Sequence, residues 1–248
     1  MIVNTAAYHF VEIADPDALA EAVRERAEAL ALKGSVLVAG EGINLFLAGQ
    51  APDIEAFYAW LRGDSRLQPL HVKYSHSEAM PFARLKVKRK AEIISFRRDD
   101  ASPLAGERAP AVAPETLRRW LRQGHDDRGR RVVLLDTRNQ QEVAHGTFAG
   151  ALTLPITRFT ELPGALAPHR PALADATVVS FCTGGIRCEK AALWMQADGM
   201  DNVLQLEGGI LGYFEAVGGE GYDGHCFVFD ERVALDPQLR PLHDPTPA

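Results

Sequence analysis

The 248-residue sequence has little cysteine, no long apolar run and no excess of positive charge. Its three cysteines, Cys182, Cys188 and Cys226, are too few and too late for a disulfide framework, which leaves thiols that react or thiols that pack. No stretch approaches the ~20 consecutive apolar residues of a membrane span. The opening Met1-Ile2-Val3-Asn4-Thr5 has neither the basic residues nor the apolar run of a signal peptide, so a cytoplasmic protein without membrane contact is expected. No internal repeat and no low-complexity tract is visible. No glycine-rich dinucleotide fingerprint follows the first strand of either half, so no bound flavin or nicotinamide is implied. A net charge of -6 excludes a protein coated in positive charge for nucleic acid.

That average conceals a reversal. Arg84, Lys86, Lys88, Arg89, Lys90, Arg97 and Arg98 face Glu92 alone between Arg84 and Arg98. In an extended strand Arg84, Lys86, Lys88 and Lys90 share one side while Leu85, Val87 and Ala91 take the other. Such a stripe suits RNA phosphates, and it equally suits a solvated sheet face or an edge strand guarded by lysines.

With 46% hydrophobic residues the chain is rich enough for real cores, and its length favours two modest domains. The first half reads as a strand within Val3–Ile13, a capped helix after Asp15-Pro16, a glycine-turned hairpin around Gly40-Glu41-Gly42-Ile43, a helix opened by Pro52-Asp53, and extended sequence at 71–74 and 84–96. The order β-α-β-β-α-β predicts a ferredoxin-like, acylphosphatase-like α+β domain over residues 1–96, two helices on one face of an antiparallel sheet. Pro103, Gly106, Pro110 and Pro114 mark residues 97–114 as a linker. From 115 to 220 the short continuous apolar runs Val132–Leu135, Ala151–Leu154, Val178–Phe181 and Val203–Leu206 alternate with helical patterns, which predicts an α/β domain with a parallel sheet. Residues 221–248 read as a C-terminal tail, irregular after Asp236. Tyr58, Trp60 and Tyr74 are assigned to the core rather than to base stacking.

In an open α/β sheet ligands gather at the carboxyl ends of strands, where Asp136 and Cys182 fall. After Cys182 come Thr183, Gly184, Gly185, Ile186 and Arg187, and then the pattern of a helix. Gly184 and Gly185 are free to adopt the positive φ angles that turn N–H groups inward, and the helix start and Arg187 add positive potential. The predicted consequence is a thiolate at Cys182, the form that attacks electrophiles. Arg187 is expected to hold the loop and its anion, Asp136 to accept hydrogen bonds beneath the loop, and Cys188 to pack or to serve as a resolving thiol.

Cysteine phosphatases resemble this loop but place one more residue between cysteine and arginine. The four-residue spacing resembles the active loop of rhodanese domains, whose first cysteine carries a persulfide. Asp136-Thr137-Arg138, Glu142, His145-Gly146 and "FAGALTLP" (148–155) continue that likeness. The whole chain is similar to one family, the rhodanese-containing tRNA uridine hydroxylases, through "GEGIN" (40–44), "FARLKVKRKAEIISF" (82–96), "CTGGIRCEK" (182–190), "LEGGI" (206–210) and "FVFDERV" (227–233). The resemblance implies hydroxylation of carbon 5 of the wobble uridine to 5-hydroxyuridine, with dioxygen as co-substrate and the tRNA anticodon loop as partner. It places Cys182 and Arg187 in catalysis, Asp136 and Arg138 in loop support, and the basic stripe on RNA. No electron donor is indicated.

Many relatives carry a cysteine-rich, zinc-binding stretch, whereas Cys226 alone follows the loop here, so no metal site is expected. His76-Ser77-Glu78 has the form of half an iron site, with no third ligand in view. Two other readings stand beside the hydroxylase: a sulfurtransferase acting through a Cys182 persulfide, and a non-enzymatic RNA-binding or redox-sensing module.

Overall fold

The computed structural model describes residues 1–243 and divides into two units. Met1–Ser95 and Phe229–Val233, with the described residues from Arg240 on, make the first; Phe96–Val228 and Ala234–Leu239 make the second.

The first unit runs β1 (Ile2–Phe10), α1 (Pro16–Ala29), β2 (Lys33–Ala39), β3 (Gly42–Gly49), α2 (Ala51–Leu61), β4 (His71–Ser77) and β5 (Leu85–Arg89). Its sheet order is β4-β1-β3-β2-β5. The first four strands pair antiparallel as the sequence order predicts, but β5 lies parallel to β2, so the sheet is mixed rather than antiparallel. Helix α1 buries Leu19, Ala20, Val23 and Ala27, and α2 buries Ile54, Phe57, Tyr58 and Leu61, in one cluster with Val36, Val38, Leu45 and Val87 of the sheet. Apolar residues at intervals of three and four supply each helical stripe.

Proline at the start of α1 suits the helix, yet Asp15 makes no cap bond. Its carboxylate accepts from Arg66 instead, and that hydrogen bond holds its pKa below the usual range. The region expected to stay extended to Phe96 is a strand only through Arg89. Beyond it Glu41 accepts the Ile93 N–H at 2.8 Å and Asn44 donates to the Ile93 oxygen at 3.1 Å. Buried backbone groups need such partners, so the GEGIN loop and the end of the basic segment are pinned to each other. Tyr58 is core, donating to Thr5 Oγ1 at 2.9 Å, whereas Trp60 and Tyr74, expected inside, are exposed.

The second unit contains β6 (Ala111–Val112), α3 (Pro114–Gln123), β7 (Val132–Asp136), α4 (Gln140–Val143), β8 (Gly146–Phe148), α5 (Leu162–Leu166), α6 (Arg170–Leu173), β9 (Thr177–Phe181), α7 (Ile186–Ala197), β10 (Val203–Leu206), α8 (Gly209–Val217), β11 (Tyr222–Gly224), β12 (Cys226–Phe227) and β13 (Ala234–Leu235). The parallel sheet has the order β6-β10-β9-β7. Three of the four apolar runs are its strands. The fourth, Ala151–Leu154, makes only a bridge between Leu152 and Leu135.

The stretch 97–114, expected as a linker, belongs to this unit from Phe96 on. Phe96 stacks on Phe159 at 4.4 Å, Ala101 and Ala109 are buried, and β6 pairs with β10. The tail expected after residue 220 is also more ordered than its composition suggests: β11 pairs with β8, and β12 with β13. Among the described residues no helix is long and apolar enough to cross a membrane.

Candidate active site

Strand β9 is buried at every residue and delivers Cys182 to its carboxyl end. Gly185, at φ 104°, turns the chain into α7, and its N–H donates to Cys182 Sγ at 3.2 Å. Gly184 is not in the left-handed region, so one glycine rather than two makes the turn. Burial opposes ionisation of Cys182, but a hydrogen bond from Cys188, the charge of Arg187 and the N–H groups of Arg187 and Cys188 outweigh it. The thiol is brought down from 9.0 to about 5. Cys188 moves the opposite way, well above its ordinary value, first through burial and then through the neighbouring Cys182 sulfur. Cys182 is therefore the thiolate of the pair at neutral pH.

Arg187 does not turn its fork onto the loop. Nη1 and Nη2 each donate to Glu142 at 2.6 Å, and both side chains are buried. A buried guanidinium requires a carboxylate, and the bidentate geometry meets that need. Burial pushes the Glu142 carboxyl up, Arg187 more than reverses this, and the acid rests below its usual range. The anion cradle expected of Arg187 is thus built from backbone N–H groups, with the arginine supplying charge. Thr183 Oγ1 reaches Glu142 at 3.4 Å.

Asp136 accepts from Arg138 Nη2 at 2.7 Å and Thr147 Oγ1 at 2.8 Å, not from the loop as expected. Arg138 also donates to the Gly146 oxygen at 2.7 Å, so this fully buried pair ties the end of β7 to the start of β8. The residue between them touches the loop's strand: Thr137 donates through both N–H and Oγ1 to the Phe181 oxygen at 3.0 Å.

The start of α8 closes the loop from the other side. Ile210 N–H donates to the Cys182 oxygen at 2.9 Å and Leu211 N–H to the Thr183 oxygen at 3.0 Å. A Cβ on Gly209, at φ +63°, would lie 2.5 Å from the Cys182 oxygen and 2.8 Å from Gly185 N. Two main chains meet there with no room for a side chain. Cys182 itself is fully buried, and Thr183 and Gly184 form the half-exposed rim above it. A separate open hollow of about 530 Å³ is lined by Glu115, Thr116, Arg118, Arg119, Arg122 and Gln123 on α3 and includes no loop residue.

Residues 2–93 match the family described as a UPF0176 acylphosphatase-like domain, and residues 114–216 match the rhodanese-like domain family. A tRNA uridine(34) hydroxylase of Xanthomonas euvesicatoria pv. vesicatoria is 77% identical over 98% of this chain and 98% of its own length. The chain belongs to the tRNA uridine(34) hydroxylase family. A relative of the same name from Xylella fastidiosa is 70% identical over 98% of this chain and 95% of its own. The rhodanese-like domain of an Anabaena protein covers 46% of this chain and 79% of its own at 20% identity, with a TM-score of 0.36.

The segments this chain shares with the hydroxylase family now have positions. Within the first unit GEGIN anchors Ile93; within the second, LEGGI supplies Gly209 beneath CTGGIRCEK. Arg84, Lys86, Lys88 and Lys90 are exposed, while Leu85 and Val87 pack inward on the opposite face of β5. Lys90 lies just past the strand, its N–H still donating to the Val38 oxygen at 2.8 Å.

Three residues that hold the loop from other elements had no assigned role in the sequence. Glu142 was visible only as part of the rhodanese likeness and Gly209 only as part of LEGGI. Cys226 gave no signal: it is buried, hydrogen-bonded to Thr183, and raised to about 12, chiefly by burial. Among the described residues no cluster of three or more His, Cys, Asp or Glu is placed to hold a metal ion.

Proposed function

We propose that this protein hydroxylates carbon 5 of the wobble uridine of tRNA with dioxygen, using Cys182 as the covalent catalyst. The observation that carries this reading is the buried Cys182 sulfur at the end of β9, which accepts the Gly185 N–H at 3.2 Å at the head of α7, with Arg187 on that helix's first turn. Attack of the sulfur on carbon 6 of the uracil forms a C–S bond and moves electron density to carbon 5. One oxygen atom of dioxygen bonds to carbon 5; the other leaves as water, with two electrons and two protons from an external donor. Loss of the carbon 5 proton then expels the thiolate and restores the ring.

The base must leave its stack to reach this sulfur, as in other enzymes that act on a base. Because Cys182 is fully buried, the Thr183–Gly184 rim must part to admit it. The stripe on β5 is assigned to the tRNA: exposed cations on one strand face neutralise phosphates and raise the encounter rate. The anticodon loop is the assigned target, since single-stranded bases are the ones a protein can splay out and enclose.

An oligonucleotide carrying 5-fluorouridine tests the covalent step, because fluorine replaces the proton whose loss releases the enzyme. The expected result is a covalent RNA adduct mapped to Cys182 by peptide mass spectrometry. Absence of any adduct with protein that hydroxylates normal substrate would overturn the route. In the sulfurtransferase reading the same cysteine would instead carry a persulfide during turnover.

A further inference from the structure

Both helices of the first unit pack on one face of its sheet. Val36, Val38, Leu45, Leu47 and Val87 turn toward them, so the residues that alternate with these line the opposite face. The register sets that opposite face out in rows. Lys86 on β5 is beside Ser35 on β2, Ser35 beside Phe46 on β3, and Phe46 beside Ala6 on β1. In the next row Lys88 is beside Leu37.

Phe46 is half-buried on the central strand of the sheet. Strand β3 puts Ile43, Leu45 and Leu47 into the core and turns this ring away from it. Its cross-strand neighbours Ser35 and Ala6 are too short to cover a phenyl ring, whereas Lys86 and Lys88 on β5 are exposed. The other aromatic groups of the unit are placed differently. Tyr8 has Lys73 over its ring at 6.0 Å and Phe10 in a T-shaped pair at 5.8 Å. Tyr74 pairs with Thr5, on the helical side with Leu47, and Trp60 is on α2. At β4 the face that carries Phe46 is taken by Arg232, which donates to Ser75 Oγ at 2.7 Å.

We propose that Phe46 is a stacking platform for an unpaired base of the tRNA, beside phosphates held by Lys86 and Lys88. Charge complementarity selects the occupant. An aromatic ring with exposed ammonium groups at the end of its row fits a base on an anionic backbone, while an apolar helix would leave those charges unmatched. Neighbouring strands are about 4.8 Å apart, so Lys86 is on the order of 10 Å from Phe46, near enough for its long side chain to meet a phosphate beside the stacked base. Every base has a π face, so the platform adds affinity and fixes position without selecting sequence.

This inference rests on the assignment of β5 to tRNA, and its test separates the two. The full chain is titrated with a fluorescent anticodon stem-loop oligonucleotide, uridine at the wobble position, over a series of salt concentrations. Phe46→Leu keeps apolar bulk and loses the ring; it is expected to weaken binding about fivefold or more, by the same factor at every salt concentration. Phe46→Tyr keeps the ring and is expected to bind as wild type does. Lys86→Ala with Lys88→Ala is expected to lower the log–log salt slope by up to about two. Wild-type binding by Phe46→Leu, or equal weakening by Leu and Tyr, would overturn the platform, and a lowered slope in the lysine variant would still leave β5 on the RNA. A slope changed by Phe46→Leu would also overturn it, because a ring releases no counterion. An unchanged slope in the lysine variant would take β5 off the RNA and the platform with it. Wild type gives a second reading that no folding defect can obscure: photo-cross-linking of the same oligonucleotide with 5-iodouridine in its loop should yield an adduct in the peptide that contains Phe46. Cross-links confined to other peptides would overturn the proposal.

Discussion

Gly209 shows how narrowly the loop is held at the scale of single residues. Gly209→Ala must place a methyl 2.5 Å from the Cys182 oxygen at a φ of +63°, and neither chain can yield without moving the thiol. Such a backbone conflict is expected to cost about 2 kcal/mol or more, seen in urea unfolding, and to remove hydroxylation. Glu142→Gln leaves Arg187 buried with half its partner, and about 3 kcal/mol of stability is expected to go with it, measured in the same way. The folded pKa of Glu142 is depressed, so its contribution is present above the ordinary carboxylate range and is lost as pH falls through the folded value. Cys182 follows the same sign: ionisation adds stability in full above 9.0, progressively less below it, and none once pH passes below about 5. Site-resolved alkylation of Cys182 should therefore hold its rate from neutral pH down to near 5 and drop beneath that; a midpoint near 9 would refute the thiolate. The Cys182 loop was legible in sequence because its glycines and arginine are adjacent to the cysteine. Its supports were not, since Glu142 is 45 residues from Arg187 and only the fold makes them neighbours.

Elements were legible where local pattern decides them and illegible where a distant partner does. The helical stripes of α1 and α2 were legible from their periodicity, and β7, β9 and β10 from their continuous apolar runs. Strand β6 is a two-residue segment among prolines, visible only through its pairing with β10, and Ala151–Leu154 has the composition of a strand without the neighbours to be one. The alternation Arg84-Leu85-Lys86-Val87-Lys88 was read correctly as two faces, although the parallel pairing with β2 has no local signature. Replacing Arg84, Lys86, Lys88 and Lys90 with alanine tests this element. Removing exposed charges should leave the melting temperature unchanged while weakening tRNA binding and lowering the log–log salt slope by up to about three. An unaltered slope would assign the stripe to guarding the sheet edge.

Over the whole molecule the first unit ends at Ser95, one residue before the expected boundary, and the proline-marked stretch joins the second unit instead of standing as a linker. Phe229–Val233 belongs with the first unit although residues of the second flank it on both sides in sequence. There Arg232 donates to Ser75 Oγ at 2.7 Å and pairs with the buried Asp230 at 2.6 Å. Arg232→Ala is expected to destabilise the first unit by about 3 kcal/mol, read from hydrogen exchange in β1 and β4, because it strands a buried carboxylate. Composition could not reveal this, because Arg232 is 157 residues from Ser75 and only the fold makes them neighbours. What the two units together accomplish is measured most directly in tRNA. Nucleoside mass spectrometry of total tRNA from cells lacking this protein and every redundant route, complemented with wild type or Cys182→Ser, should find 5-hydroxyuridine and its derivatives restored by wild type alone. Restoration by Cys182→Ser at equal expression would contradict the central role given to this thiolate.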